Sequence, residues 1–173
     1  CTWLNVVPTM IAYLLNGPGP RELGLDASGL RFCRSASAPL PPAQHLAFEE
    51  KFGIGIIETM GLTETAAPCF SNPLDPAKRK IGSPGPAFGN EAKIIDGSGE
   101  TLPAGKAGEI CVRGPNVMTC YYRNPQETQS ARAADGCLRT GDIGHLDDDG
   151  FVFVTGRIKE LIIKGGENIA PRE

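Results

Sequence analysis

The side chains best equipped for chemistry lie in a few short strings. Glu58-Thr59-Met60-Gly61-Leu62-Thr63-Glu64 sets a hydroxyl beside a carboxylate just after a glycine. Leu138-Arg139-Thr140-Gly141-Asp142 and Gly156-Arg157-Ile158-Lys159-Glu160 add the carboxylates of Asp142 and Glu160 and three cations. Carboxylates accept hydrogen bonds and suit hard cations, hydroxyls both donate and accept, and a guanidinium stays charged, so these groups could hold a small hydroxylated or anionic ligand. Taken singly, each string has a plainer explanation. Thr63 followed by Glu64 at a strand-to-helix junction would cap a helix start without any ligand. A lone Gly-Asp or Gly-Arg is a turn and a surface charge, and Lys159 alone is a solvated lysine.

The elements that must position these residues follow from periodicity. Val6-Val7-Pro8 reads as an extended entry with proline at a helix start, Ile11 to Leu15 as an apolar helical face, and Asn16-Gly17-Pro18 as its stop. Leu30 to Arg34 predicts a buried strand, Ser35 to Pro42 a small-residue loop, Ala43 to Phe52 an amphipathic helix, and Ile54 to Thr59 the next strand. Strands alternating with helices imply a parallel, helix-covered sheet, with ligands collecting beyond the carboxyl ends of its strands. The segment from Thr59 to Glu64 is then such a loop.

After Pro73 the pattern changes to short apolar runs punctuated by Gly, Pro and Asp-Gly: Glu91 to Ile95, Gly108 to Arg113 and Gly150 to Thr155. This predicts a small antiparallel β-barrel or sandwich, with turns at Gly97-Ser98-Gly99 and Asp148-Asp149-Gly150. The expected division is 1–75 as part of an α/β subdomain, 76–156 as a β-barrel subdomain, and 157–173 as a short mixed segment. The fold class is thus α/β plus β.

Composition narrows the function. The 173 residues carry 20 acidic against 17 basic side chains, a net charge of −3, with no long run of either sign, which argues against nucleic acid as a partner. No apolar run reaches the roughly 20 residues of a bilayer span and no signal-peptide order opens the chain, so a cytoplasmic protein without an integral membrane segment is expected. The six cysteines, Cys1, Cys33, Cys69, Cys111, Cys120 and Cys137, lack the close spacing of a zinc or redox site. They read as reduced, mostly buried thiols, with three disulfides as the weaker alternative.

Read together, the strings resemble the adenylate-forming (AMP-binding) superfamily of acyl-CoA synthetases, peptide-synthetase adenylation domains and luciferases, over nearly the whole chain. Ser35-Ala36-Ser37-Ala38-Pro39-Leu40 is similar to the loop whose backbone borders the adenine, and Glu58 to Glu64 to the aromatic-Gly-x-Thr-Glu signature. Met60 stands where most relatives carry an aromatic ring, and its polarizable sulfur can still cover a ring face. Gly108-Glu109-Ile110 and Tyr121-Tyr122-Arg123-Asn124-Pro125 resemble a segment whose job in the family is structural. Thr140-Gly141-Asp142 and Gly156-Arg157 resemble the motifs that hold the ribose, and Cys137 replaces a tryptophan common in relatives.

The resemblance implies roles. Ser37, Ala38, Pro39, Glu58, Thr59, Met60 and Val154 would border the base, Thr63 would bond the α-phosphate, and Glu64 would hold Mg2+. Asp142 would accept the ribose hydroxyls, and Arg157 would reach the ribose or phosphate. Lys159 matches the hinge of the C-terminal lid, and Lys164-Gly165-Gly166 the loop beside the CoA tunnel, so the resemblance makes 1–75 part of a nucleotide-binding subdomain and 157–173 the hinge with the start of that lid. The implied reaction activates a carboxylic acid with ATP and Mg2+ as an acyl-adenylate and transfers the acyl group to CoA, with fatty acids among the substrates expected. The family's phosphate loop with its lysine and its late adenylation lysine have no counterpart here. The chain is therefore expected to be an internal-to-C-terminal fragment, inactive alone and prone to self-association through truncated surfaces. The competing readings are a noncatalytic AMP-binding or interaction module and the adenylation domain of a peptide synthetase.

Overall fold

In the computed structural model, the described residues are 1–160 except Leu25, Ala27 and Ala67, together with the backbone of two later strands, Ile162–Lys164 and Glu167–Ile169. They form a mixed α/β chain with a parallel-stranded sheet and an antiparallel sheet. Two compact units are distinguishable: Cys1–Gly61 with Phe70–Gly85, and Leu62–Cys69 with Pro86–Glu173.

The first unit opens with strand β1 (Trp3–Val6) and helix α1 (Pro8–Asn16), whose first position is the proline the sequence suggested. Strand β2 (Phe32–Ser35), helix α2 (Pro42–Phe52) and strand β3 (Ile56–Gly61) follow. β1 and β3 flank β2 in parallel, with Cys33 opposite Leu4 on one side and Ile56 on the other. α2 ends where Gly53 takes a left-handed conformation at φ 66° and donates its N–H to the Glu49 carbonyl, a geometry glycine adopts without a Cβ penalty. Val6, Ile11, Cys33, Leu40, Phe48, Ile54 and Ile56 form the core under the helices. Withdrawing a side chain such as Phe48 from water contributes about 1.5–3 kcal/mol. β3 runs on through Met60 and Gly61, so the segment from Thr59 begins as strand and not as loop. It lies between β2, which pairs with Ile56, Ile57 and Glu58, and β4 (Pro68–Ser71), a neighbour that a periodicity reading does not reveal.

The antiparallel sheet is open and five-stranded in the order β5-β9-β8-β7-β6, comprising β5 (Gly85–Pro86) and, in the second unit, β6 (Glu91–Ile95), β7 (Gly108–Arg113), β8 (Leu138–Leu146) and β9 (Phe151–Arg157). The pairs β6–β7, β7–β8 and β8–β9 are antiparallel. Among the described residues the expected barrel does not close. The edge strand β5 has two residues, one of them a proline without an N–H, too little to form a closing ladder. Both expected turns occur: Gly99 at φ 90° bonds back to Asp96, and Gly150 at φ 79° bonds back to Asp147. β10 (Ile162–Lys164) and β11 (Glu167–Ile169) form a separate antiparallel pair. No helix among the described residues is long and apolar enough to cross a membrane. All six cysteines are free, with Cys1 and Cys120 exposed and the other four buried.

Candidate functional site

Within the second unit, a cleft of about 550 Å³ is lined by Glu64, Tyr121, Thr140, Gly141, Arg157 and Lys159, among others. Strand pairing explains how Thr140 and Gly141 reach it. Arg139 of β8 stands opposite Cys111 of β7 and Ile143 opposite Glu109, so residues 140–142 face Ile110 alone. Such a bulge bends the strand and re-aims its side chains. Thr140 Oγ1 donates to the Ile110 carbonyl at 2.8 Å and accepts the Asp142 N–H at 3.1 Å, replacing ladder bonds that the bulge removes. Gly141 sits at φ 72°, where a side chain would be strained.

Glu109 secures this turn. It is 6% exposed; its Oε1 accepts the Gly141 N–H at 3.1 Å, while Oε2 accepts Arg139 Nε at 2.8 Å and a terminal nitrogen at 2.6 Å. Asp142, also 6% exposed, pairs with Arg157 across β8 and β9, with Nε 2.6 Å from Oδ1. Arg157, at the end of β9, lines the cleft, and Asp142 holds it from the middle of β8. Val154 lies on β9 opposite Gly144, and Lys159 is exposed in the 3-10 turn Ile158–Glu160 that follows.

Glu64 lies in a second 3-10 turn, Thr63–Thr65. Thr63 is exposed and does not cap it: the capping position is Leu62, whose N–H is bound by Thr65 Oγ1 at 3.0 Å. The plain reading of Thr63 as a helix cap is therefore removed. The half-buried Glu64 receives the Tyr121 hydroxyl on Oε1 at 2.7 Å and the Met118 N–H on its carbonyl at 2.7 Å. The bond to Glu64 pushes the Tyr121 phenol up to about 12, because ionisation would remove the donor and set two anions together.

In the first unit, Ser37 holds a left-handed backbone at φ 77°, and it is exposed together with Ala38 and Pro39. Thr59 is buried and donates to the Ser35 carbonyl at 3.4 Å, and Met60 is half-buried. Glu58 is turned into the unit, where its Oε1 lies 3.0 Å from Nδ1 of buried His45 and 3.3 Å from the Gly82 N–H. His45 Nε2 in turn lies 3.2 Å from Glu49 Oε1. A neutral imidazole donates from one nitrogen only, so two carboxylate contacts favour the imidazolium. Burial opposes that charge and the carboxylates of Glu58 and Glu49 favour it, with the outcome a raised His45 pKa. Gly165, Gly166 and the side chain of Lys164 lie outside the described residues.

Sequence reasoning read Glu109 and Tyr121 as structural without identifying their partners, gave Arg139 no partner, and missed His45 entirely. It also missed helix α3 (Pro125–Ser130), although Asn124-Pro125 with Glu127 is a cap signal: the Asn124 side chain accepts the Glu127 N–H at 3.1 Å. No local signal reveals the partners of Glu109 and Tyr121.

Residues 1–122 match the family model described as "AMP-binding enzyme". Over its full length the chain is 60% identical to the sulfoacetate–CoA ligase of Cupriavidus necator, covering 33% of that protein. It is 40% identical to the oxalate–CoA ligase of Saccharomyces cerevisiae, covering 100% of this chain and 31% of that one. The crystal structure of ATP-bound MatB from Rhodopseudomonas palustris superposes with a TM-score of 0.90 at 39% identity, over 99% of this chain and 34% of that one. The chain thus spans about a third of the length of the curated relatives it matches.

Proposed function

The chain belongs to the AMP-binding enzyme family, and on that premise we propose that it supplies the ribose- and magnesium-binding part of an ATP-dependent acid–CoA ligase. The observation that carries the reading is the cleft of the second unit, lined by Glu64, Thr140, Gly141 and Arg157, with Asp142 bonded to Arg157 and Thr63 next to Glu64 in the same compact body. Asp142 accepts the ribose hydroxyls, and Arg157, already aligned by its bond to Asp142, reaches the ribose or a phosphate. Thr63, exposed and not engaged as a cap, donates to the α-phosphate. Ser37, Ala38, Pro39, Thr59, Met60 and Val154 border the base; Glu58, whose carboxylate is occupied by His45, contributes its main chain there.

Magnesium fits the donors present. Mg2+ takes one or two protein carboxylates and completes its shell with water and phosphate oxygens. Glu64 supplies a carboxylate with acceptor capacity beyond the bond from Tyr121, and no group of three His, Cys, Asp or Glu among the described residues could hold an ion unaided. The ion would neutralise charge on the triphosphate as the acid attacks the α-phosphorus and pyrophosphate leaves. Displacement of AMP by the CoA thiol then completes the transfer, with Lys159 as the hinge about which a lid turns and Lys164, Gly165 and Gly166 beside the thiol. We read 1–75, 76–156 and 157–173 as the nucleotide, β and lid portions of this machinery.

The acid is proposed to be small and to carry a second anionic group. The names of the 60%- and 40%-identical relatives, a sulfoacetate and an oxalate ligase, favour this over a long-chain fatty acid. Calorimetric titration of the chain with AMP tests the nucleotide reading. Saturable binding that Asp142→Ala abolishes is the expected result; absence of binding, or binding indifferent to the substitution, refutes it. ATP–pyrophosphate exchange with sulfoacetate, oxalate and a long-chain acid then tests the substrate class.

A further inference from the structure

Resting on the reading of Glu64 as the magnesium carboxylate, we propose that Tyr121 is the positioning residue that holds this carboxylate in its metal-receiving orientation. Glu64 is gripped at two points by one segment: the Met118 N–H bonds its carbonyl and the Tyr121 hydroxyl its Oε1, each at 2.7 Å. That segment is itself anchored. Arg132 donates to the Met118 carbonyl at 2.6 Å, and the Tyr121 N–H donates to Thr128 Oγ1 at 2.9 Å on α3, the helix capped by Asn124. The phenol therefore projects from a braced loop and not from a mobile tail.

The consequence concerns preorganisation. A free glutamate side chain loses rotamer freedom when an ion immobilises it, whereas one already held by a hydroxyl has lost much of it beforehand. The hydroxyl occupies one acceptor site on Oε1 and leaves the carboxylate its charge, so it orients the ligand without competing for the metal. A purely structural tyrosine would affect metal-free and metal-bound nucleotide equally. A positioning tyrosine affects only the magnesium-dependent part.

The test is calorimetry on the full chain with three probes: AMP, ATP with chelator, and ATP with Mg2+. In the unsubstituted chain, Mg2+ is expected to tighten ATP binding. In Tyr121→Phe that increment is expected to fall about tenfold, the factor for losing roughly one hydrogen bond to a charged group, with AMP affinity within about twofold of the parent. In a Glu64→Gln background, Tyr121→Phe should change nothing further. An unchanged increment in Tyr121→Phe overturns the inference and leaves the nucleotide reading intact. An equal loss for AMP also overturns it, assigning Tyr121 a structural role. No magnesium increment in the parent removes the magnesium reading and this inference together, while AMP binding still judges the nucleotide reading. If Tyr121→Phe does not fold, Glu64→Asp withdraws the carboxylate from the phenol by one methylene, and a retained increment there overturns the proposal.

Discussion

Removing the Glu109 carboxylate should loosen the Thr140-Gly141-Asp142 bulge and, through it, the ribose recognition proposed for Asp142. In Glu109→Ala the half-buried Gly141 N–H loses a charged acceptor 3.1 Å away, a loss of about 1.5–3 kcal/mol. The ion pair to Arg139 adds less. That side chain is 41% exposed, so water replaces the lost partner, and exposed pairs contribute only about 0–1 kcal/mol. The expected destabilisation of the second unit is therefore about 1.5–4 kcal/mol. Glu109→Gln keeps an amide oxygen for Gly141 and loses the charge, so about 1 kcal/mol is expected there. Urea unfolding followed by circular dichroism gives the stability, and amide hydrogen exchange at Gly141 shows whether the loss is local. Glu109→Ala within about 0.5 kcal/mol of the parent, the range of an ordinary surface substitution, would refute the assignment of Glu109 as the brace of this turn. So would an unprotected Gly141 amide in the parent.

Other outcomes follow from the same geometry. The raised pKa of His45 means that its pairing with Glu58 and Glu49 adds stability below the unfolded-state value and loses it as pH rises through the folded-state value. Urea midpoints should thus fall on moving from weakly acidic to alkaline pH, less steeply in His45→Gln. Gly85→Ala should yield insoluble or unfolded protein, because a Cβ at φ 102° would meet the Ser71 carbonyl carbon at 2.1 Å and the Asn72 nitrogen at 2.3 Å, backbone atoms with no room to retreat; circular dichroism of the purified variant checks this. Iodoacetamide at pH 8 should modify Cys1 and Cys120 rapidly in the native chain and spare the buried thiols, whose burial pushes Cys33 up to about 11 and Cys111 up to about 12. Mass mapping before and after denaturation distinguishes the two classes.

Much of this protein is written in contiguous strings. Proline at the start of α1 and the turns at Gly99 and Gly150 are local backbone requirements, legible from neighbouring residues, whereas Pro42, read as the end of a loop, proves to open α2. Thr63-Glu64, Thr140-Gly141-Asp142 and Arg157 were equally legible, because each motif spans a few positions and their order along the chain suffices to suggest the chemistry. Folding decided which groups support those motifs. Glu109 meets Gly141 from 32 positions away, and Tyr121 meets Glu64 from 57. Those meetings depend on the register of β7 against β8 and on a braced loop, neither of which leaves a local trace. Apolar alternation likewise marks a strand without naming its partner, so five strands in an open sheet read the same as strands in a closed barrel. Propensity and turn geometry act between neighbours, whereas pairing, closure and the orientation of a buried carboxylate depend on residues brought together only when the chain folds.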